Sequence, residues 1–207
     1  MRDAEPASVR RATSADLDVV VAALVESHRD YVWERWALPW ADRSERLERV
    51  YRADVGIVAL PNGEVWMTDG GESAAVWVPA GAFATLTTDE REALDAIAHA
   101  EFGDRLPLLD SVDAQISAAR PEAQWHLATM GTLPEHRGRG LGAAVLQPRL
   151  VELDRAGETA ALETSELRNV AFYERFGFEV VAQVESPPHG APRTWLMQRH
   201  APTQTAD

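Results

Sequence analysis

Between an apolar run, Trp125–Gly131, and an apolar-periodic run, Gly142–Leu153, lies Arg137-Gly138-Arg139-Gly140-Leu141-Gly142. The order reads as strand, glycine-rich turn, helix. The first amides of a helix have no carbonyl partner inside it, and the aligned peptide dipoles add partial positive charge there. Glycines at 138, 140 and 142 let the backbone approach an anion with no Cβ in the way. Arg137 and Arg139 add charge beside it. The turn therefore reads as a seat for a phosphate-bearing molecule.

The rest of the chain alternates strands and helices. Strands are predicted at 9–13, 64–68, 74–78, 125–132, 160–163, 178–184 and 193–199. Asp69-Gly70-Gly71-Glu72 is the hairpin turn between the second and third. Ser14 is predicted to cap a first helix that ends near Ser27–Asp30, on the spacing of Leu17, Val20, Val21, Leu24 and Val25. Tyr31–Trp40 is an aromatic-rich connection, and Asp42–Tyr51 an amphipathic helix. Thr88 caps a helix to Phe102 stopped by Gly103. Leu106–Arg120, Gly142–Arg155 and Arg168–Phe176 complete the helices. Helices between strands mean an α/β or α+β fold. Trp125–Glu163 predicts a parallel strand–helix–strand unit and the last two strands an antiparallel hairpin, so the sheet should be mixed. We expect a single domain over 1–199, with a helical insertion at 80–122 and a frayed tail at 200–207.

Composition narrows the function classes. The chain has 207 residues, 45% hydrophobic and 26% charged, as in an ordinary globular domain. No apolar run approaches a membrane span. The first residues, Met1-Arg2-Asp3-Ala4-Glu5, lack the apolar stretch of a secretory leader, so a cytoplasmic location is expected. There is no cysteine, hence no thiolate nucleophile, no disulfide and no thiolate metal site; no metal is expected. The net charge of −13 argues against nucleic acid as a partner and suits a cationic one. Every basic residue is arginine, which excludes a Walker-type loop or a Schiff-base lysine.

Two phosphate-binding patterns compete for the glycine turn. Gly138-x-Gly140-x-x-Ala143, with Glu163 about 20 residues on, fits the loose dinucleotide fingerprint. Against it, Pro134-Glu135-His136-Arg137 separates strand from glycines, and no second mononucleotide-binding half precedes residue 124. The second pattern fits better. Arg137, Gly140 and Gly142, after Pro134, resemble the acetyl-CoA loop of the GNAT superfamily of N-acetyltransferases. Downstream, Asn169-Val170-Ala171-Phe172-Tyr173 resembles that family's Asn-x-x-x-Tyr helix, running into the Gly177-Phe178 strand entry. Within the superfamily, the C-terminal part is similar to the puromycin N-acetyltransferases. The similarity rests on Leu127-Ala128-Thr129, Ala161-Leu162-Glu163-Thr164-Ser165, Arg168-Asn169, Phe172–Arg175 and Pro192–Trp195. It is faint over Tyr31–Trp40.

The resemblance implies a twisted, mostly antiparallel sheet flanked by helices, and acetyl-CoA as acetyl donor. It implies a primary amine of a small molecule as acceptor, with a puromycin-like aminonucleoside among the candidates, attacked directly in a ternary complex. A non-catalytic acyl-CoA-binding or regulatory module is the alternative, and the protein would be a monomer or homodimer. Cofactor contacts fall to Met130, Gly131, Thr132, Arg137, Gly138, Arg139, Gly140, Leu141, Gly142, Ala143, Asn169 and Tyr173, with Ala144 adding an amide.

Tyr173 is the candidate acid for the leaving thiol. A free tyrosine titrates ~1.5 units above a thiol, so full transfer costs roughly 2 kcal/mol. Asn169 is either a cofactor contact or a helix cap. Tyr31, Trp33, Trp36 and Glu163 are acceptor-side candidates, and Trp40 joins them as lid or as packing. Glu163 and His126 are the candidate proton acceptors; a loop carboxylate and a solvent-facing strand histidine are the plain alternatives.

Overall fold

The computed structural model describes residues 7–185 and 188–202. Among them, β1 (Val9–Arg11), β2 (Glu64–Thr68), β3 (Ser73–Pro79), β4 (Trp125–Thr132), β5 (Ala160–Thr164), β6 (Glu179–Val184) and β7 (Thr194–Arg199) form one sheet. Their order in space is β1-β2-β3-β4-β5-β7-β6. Only β4 and β5 are parallel; the other neighbours are antiparallel, the mixed sheet that was expected.

Strand alternation builds two cores. Val65, Met67, Ala74 and Val76 face α1 (Leu17–His28), α2 (Val32–Ala37) and α3 (Arg43–Ala53). Ala75, Trp77 and Leu127 face the other way, against α7 (Leu141–Ala156) and α8 (Leu167–Glu174). Trp77, Leu24, Leu146 and Leu153 are fully buried, each leucine worth about 1.5–3 kcal/mol of transfer free energy.

The strand that carries the glycine turn is bent. Val76 faces Thr129 but Trp77 faces Leu127, so Ala128 is an extra residue on β4. Such a bulge turns the strand and increases its twist. β4 pairs with β5 only at Trp125↔Ala160 and His126↔Ala161, after which the two strands part. From Leu127 onward one edge of β4 faces a wedge instead of a neighbour.

Helices close around that wedge. Between β3 and β4 the chain forms α5 (Thr88–Phe102) and α6 (Leu106–Ala119). Buried Glu101 anchors α5 to α3 through Arg49, whose Nε and Nη2 donate at 2.6 and 2.8 Å. Val112 and Ile116 of α6 pack with Leu196 and Ala191 beside β7. No helix among the described residues is long and apolar enough to cross a membrane.

Several local expectations are corrected. Thr13, not Ser14, caps the turn Ser14–Asp16 that leads into α1, with Asp16 reaching back to its amide. Thr87, not Thr88, caps α5 in a reciprocal box with Glu90. The Tyr31–Trp40 connection contains helix α2, six residues that are too short to show a period. α3 does not stop at Tyr51. It runs into a wider π turn, Asp54–Ala59, and then α4 (Leu60–Asn62). Pro148 lies inside α7 and leaves the Ala144 carbonyl without its helical donor. Of the predicted tail, residues 203–207 lie outside the described residues, as do Ser186 and Pro187 of the predicted loop.

α1 comes unusually close to β4. A Cβ on Gly131 would lie 1.9 Å from Ser27 Oγ and 2.8 Å from Ser27 Cβ. Gly131→Ala should therefore destabilise the protein by about 1–3 kcal/mol. Ser27→Ala in the same chain should recover part of that loss, since it removes the nearer atom. Urea titrations of the two single variants and the double variant measure the coupling.

Candidate active site

The glycine turn sits where β4 hands the chain to α7. Gly138 and Gly140 have φ of +76° and +80°, and a Cβ added at either would meet nothing within 4 Å. Glycine is required there by backbone conformation, and the space above stays open. Gly140 is the N-cap of α7, and the Ala144 amide already bonds its carbonyl at 3.0 Å. The helix-start amides of Leu141, Gly142 and Ala143 are the ones left to point outward. They border a cavity of about 720 Å³. Met130, Gly131 and Thr132 line it from the wedge side of β4, and Asn169, Phe172 and Tyr173 from α8. Arg137, Arg168 and Arg175 bring positive charge to its rim.

A second cavity of about 260 Å³ opens on the other side of the wedge. Trp33 and Glu34 of α2, Tyr51 of α3, Asp113, Ile116 and Arg120 at α6, and Glu163–Ser165 at the end of β5 line it. Five residues border both cavities: His28, Tyr31, Met130, Asn169 and Tyr173. They mark the junction where two ligands would meet.

Hydrogen bonds hold this junction. The Ser165 amide donates to Tyr31 Oη at 2.7 Å, and that hydroxyl lies 3.2 Å from Thr164 Oγ1. Asn169 Nδ2 donates to the same Thr164 oxygen at 3.1 Å. Asn169 is thus no cap; Glu166 occupies that position. Tyr173 is 8% exposed, and burial, with neighbouring Tyr31, pushes its hydroxyl above the usual tyrosine range. It stays protonated and so has a proton to donate.

The carboxylates divide by environment. Burial pushes the Glu163 carboxyl up, but bonds from His126 and Arg120 outweigh it and hold it below the usual range. His126 Nε2 is 2.8 Å and Arg120 Nε 2.6 Å away. Both Glu163 oxygens are thus occupied, while His126 Nδ1 is buried with no partner among the described residues. Glu34 is the opposite case. Burial pushes it up to about 7, and the Tyr51 hydroxyl, donating at 3.0 Å, restores the charged form only in part.

Comparison with known proteins agrees with this geometry. The acetyltransferase (GNAT) domain family matches residues 108–180, which span α6 to β6 and include the glycine turn and the α8 tyrosine. Over that segment the chain is similar to GNAT acetyltransferase domains. An uncharacterised N-acetyltransferase of Schizosaccharomyces pombe is 31% identical over 77 residues, 37% of this chain and 31% of that protein. The matched segment is therefore under a third of that relative's length. The fold is that of the histone acetyltransferase HPA2 and related acetyltransferase of Corynebacterium glutamicum, with a TM-score of 0.68. That structure is 24% identical and covers 98% of this chain and 100% of its own. A Drosophila melanogaster polyamine N-acetyltransferase superposes with a TM-score of 0.56 at 17% identity, covering 93% and 98% of the two chains. An agmatine N-acetyltransferase does so at 0.55 and 17%, covering 95% and 100%.

The residues expected to hold the cofactor converge on the larger cavity, except Ala144, whose amide is spent on the Gly140 carbonyl, and Arg139. Its guanidinium donates to the Glu135 carbonyl and is absent from the lining. Arg137 is partly diverted. It donates from Nε to the Thr132 carbonyl at 3.2 Å and from Nη2 to the Ser27 carbonyl at 2.8 Å. On the acceptor side, Tyr31, Trp33 and Glu163 line the smaller cavity, but Trp36 and Trp40 do not. Trp36 donates to the His189 carbonyl and stacks on Arg105, while Arg46 covers Trp40.

Four acceptor-side groups, His28, Glu34, Tyr51 and Asp113, escaped the sequence reading. They come from four helices whose amphipathic patterns gave no sign of a cavity. A charged residue inside the aromatic α2 segment was the one available signal for Glu34.

Glu34 has a raised folded-state value, so its stability effect has a definite sign. Below an unfolded value near 4.5 it costs nothing; the cost grows with rising pH and is complete above about 7. Glu34→Gln should stabilise the protein at pH 8 by up to roughly 3 kcal/mol, with little effect near pH 4.5. Melting curves of both proteins across that range test it. An equal shift at both ends of the range would rule it out.

Proposed function

We propose that the chain transfers an acetyl group from acetyl-CoA to the primary amine of a small, positively charged molecule, by direct attack with both substrates bound. The observation that carries this reading is the pair of cavities on opposite sides of the β4–β5 wedge, sharing a wall that contains Asn169 and Tyr173.

The larger cavity suits coenzyme A on three grounds. The α7 start and the positive-φ glycines suit a pyrophosphate, with Arg137, Arg168 and Arg175 as charge support. The unpaired edge of β4 at Met130–Thr132 suits an extended amide-bearing arm. Phe172 and Phe176 supply an apolar wall. When bound, the cofactor supplies an activated acetyl thioester. A backbone amide on the free edge of β4 would stabilise charge developing on the acetyl oxygen. Tyr173 would serve the departing sulfur as donor; its raised value keeps it protonated before the reaction, so it is not the base for the amine.

The smaller cavity favours a cationic acceptor. Glu34, Asp113 and Glu163 line it together with Arg120, among Tyr31, Trp33 and Tyr51. Such a lining attracts an ammonium through carboxylates and aromatic faces. The polyamine and agmatine N-acetyltransferases among the structural neighbours are named for acceptors of this kind. Puromycin, which carries a primary amine on an aromatic body, is another candidate.

Acetyl-CoA at saturating concentration should raise the melting temperature. An unchanged melting curve counts against the reading. Free-thiol release across alkylamines, diamines, agmatine, arylalkylamines, puromycin and a peptide N-terminus ranks the acceptors, with cationic amines expected above neutral ones. Tyr173→Phe should lower kcat about 100-fold, while the melting shift given by acetyl-CoA stays close to that of the parent. Cofactor binding without thiol release from any amine would make the chain a binding module.

A further inference from the structure

One side chain at the junction offers a free basic nitrogen. His28 is the last residue of α1 and borders both cavities. Its Nδ1 lies 2.9 Å from the Leu24 carbonyl and 3.1 Å from Ser27 Oγ. A carbonyl oxygen only accepts, so Nδ1 carries the proton. Nε2 keeps its lone pair and has no protein partner among the described residues. The ring packs edge-on to Tyr31 at 5.6 Å and tilted on Tyr51 at 5.8 Å. Behind it, the close contact of Ser27 with Gly131 fixes the end of α1 against β4.

We propose that His28 Nε2 takes the proton from the attacking amine. This rests on the acetyl-transfer reading above. The other bases on the acceptor side are less suited. Glu163 is held by Arg120 and His126, and Glu34 borders the acceptor cavity but not the junction. The groups facing His28 from the packed elements are Tyr31 from α2, Tyr51 from α3 with Glu34 behind it, and Arg137 from the glycine turn; Tyr173 of α8 borders the same two cavities. Burial holds the imidazolium below its usual range, the Leu24 bond opposes this, and Arg137 adds to the depression. His28 is therefore neutral and ready to accept at pH 7.

The proton balance closes within the junction. As the nitrogen–carbon bond forms, the amine nitrogen loses one proton to Nε2. As the carbon–sulfur bond breaks, the sulfur gains one proton from the Tyr173 hydroxyl, and the imidazolium returns one to Tyr173. Net transfer runs from a group below ~6.5 to a thiol near ~8.5, which is downhill, whereas tyrosine alone would be working uphill.

Two measurements test this. Nitrogen-15 NMR of the ligand-free protein should find His28 as the Nδ1–H tautomer at neutral pH, titrating below ~6.5. A dominant Nε2–H tautomer overturns the proposal without reference to activity. His28→Asn keeps a donor for Leu24 but no base. It should lower kcat about 100-fold and abolish the acid limb of the kcat–pH profile, with the acetyl-CoA melting shift intact. His28→Gln should behave alike, which guards against a folding defect in either variant. Parental rates and an unchanged pH profile in both variants overturn the role of His28 alone. Absence of thiol release by the parent protein with every amine overturns the acetyl-transfer reading and this proposal together.

Discussion

Two parallel strands that pair for two residues and then part are the constraint on which the rest of this structure depends. A buried sheet normally satisfies both edges of each internal strand. Here β4 loses its β5 neighbour after His126, and the Ala128 bulge turns it away. The gap leaves backbone groups free in the middle of the fold and lets ligands approach from both faces. Each cavity is a consequence of that gap, and Tyr173, Asn169, Tyr31, Met130 and His28 are the residues that line its two openings.

A gap in a sheet must be braced. Arg137 does this by tying the Thr132 carbonyl at the end of β4 to the Ser27 carbonyl at the end of α1. Gly131 permits that approach, since any Cβ there would meet Ser27. Tyr31, Thr164, Ser165 and Asn169 brace the opposite side, joining the start of α2 to the end of β5 and the first turns of α8. The Arg49–Glu101 pair seats α5 and α6, from which Asp113 and Arg120 reach the smaller cavity. The donor and acceptor sides are thereby mechanically connected through α1.

Identical side chains acquire different chemistry in this frame. Glu163 and Glu34 border the same cavity, yet bonds from His126 and Arg120 hold one below the usual carboxylate range while burial raises the other to about 7. Likewise, His126 spends Nε2 on Glu163, whereas His28 spends Nδ1 on a backbone carbonyl. Among the described residues, His126 keeps an unpaired Nδ1 but borders neither cavity, whereas the unpaired Nε2 of His28 belongs to a ring that borders both.

The one-dimensional pattern was enough for the strands, the main helices, the mixed sheet and the phosphate-binding turn. These rest on local rules: alternation along a strand, spacing along a helix, glycine where φ is positive, a helix start with unpaired amides. Asn169 and Tyr173, one turn apart on a short helix, came instead from the resemblance to the GNAT superfamily. The local rules failed at α2 and the π turn, which are too short or too irregular to carry a period. They also treated Trp33, Trp36 and Trp40 alike, although only Trp33 reaches the cavity while Trp36 stacks on Arg105 of a distant segment and Trp40 on nearby Arg46. The acceptor side was decided by tertiary structure alone. His28, Glu34, Tyr51 and Asp113 are separated along the chain, and whether a carboxyl is charged or an imidazole nitrogen is free depends on burial and partners that only the folded chain brings together.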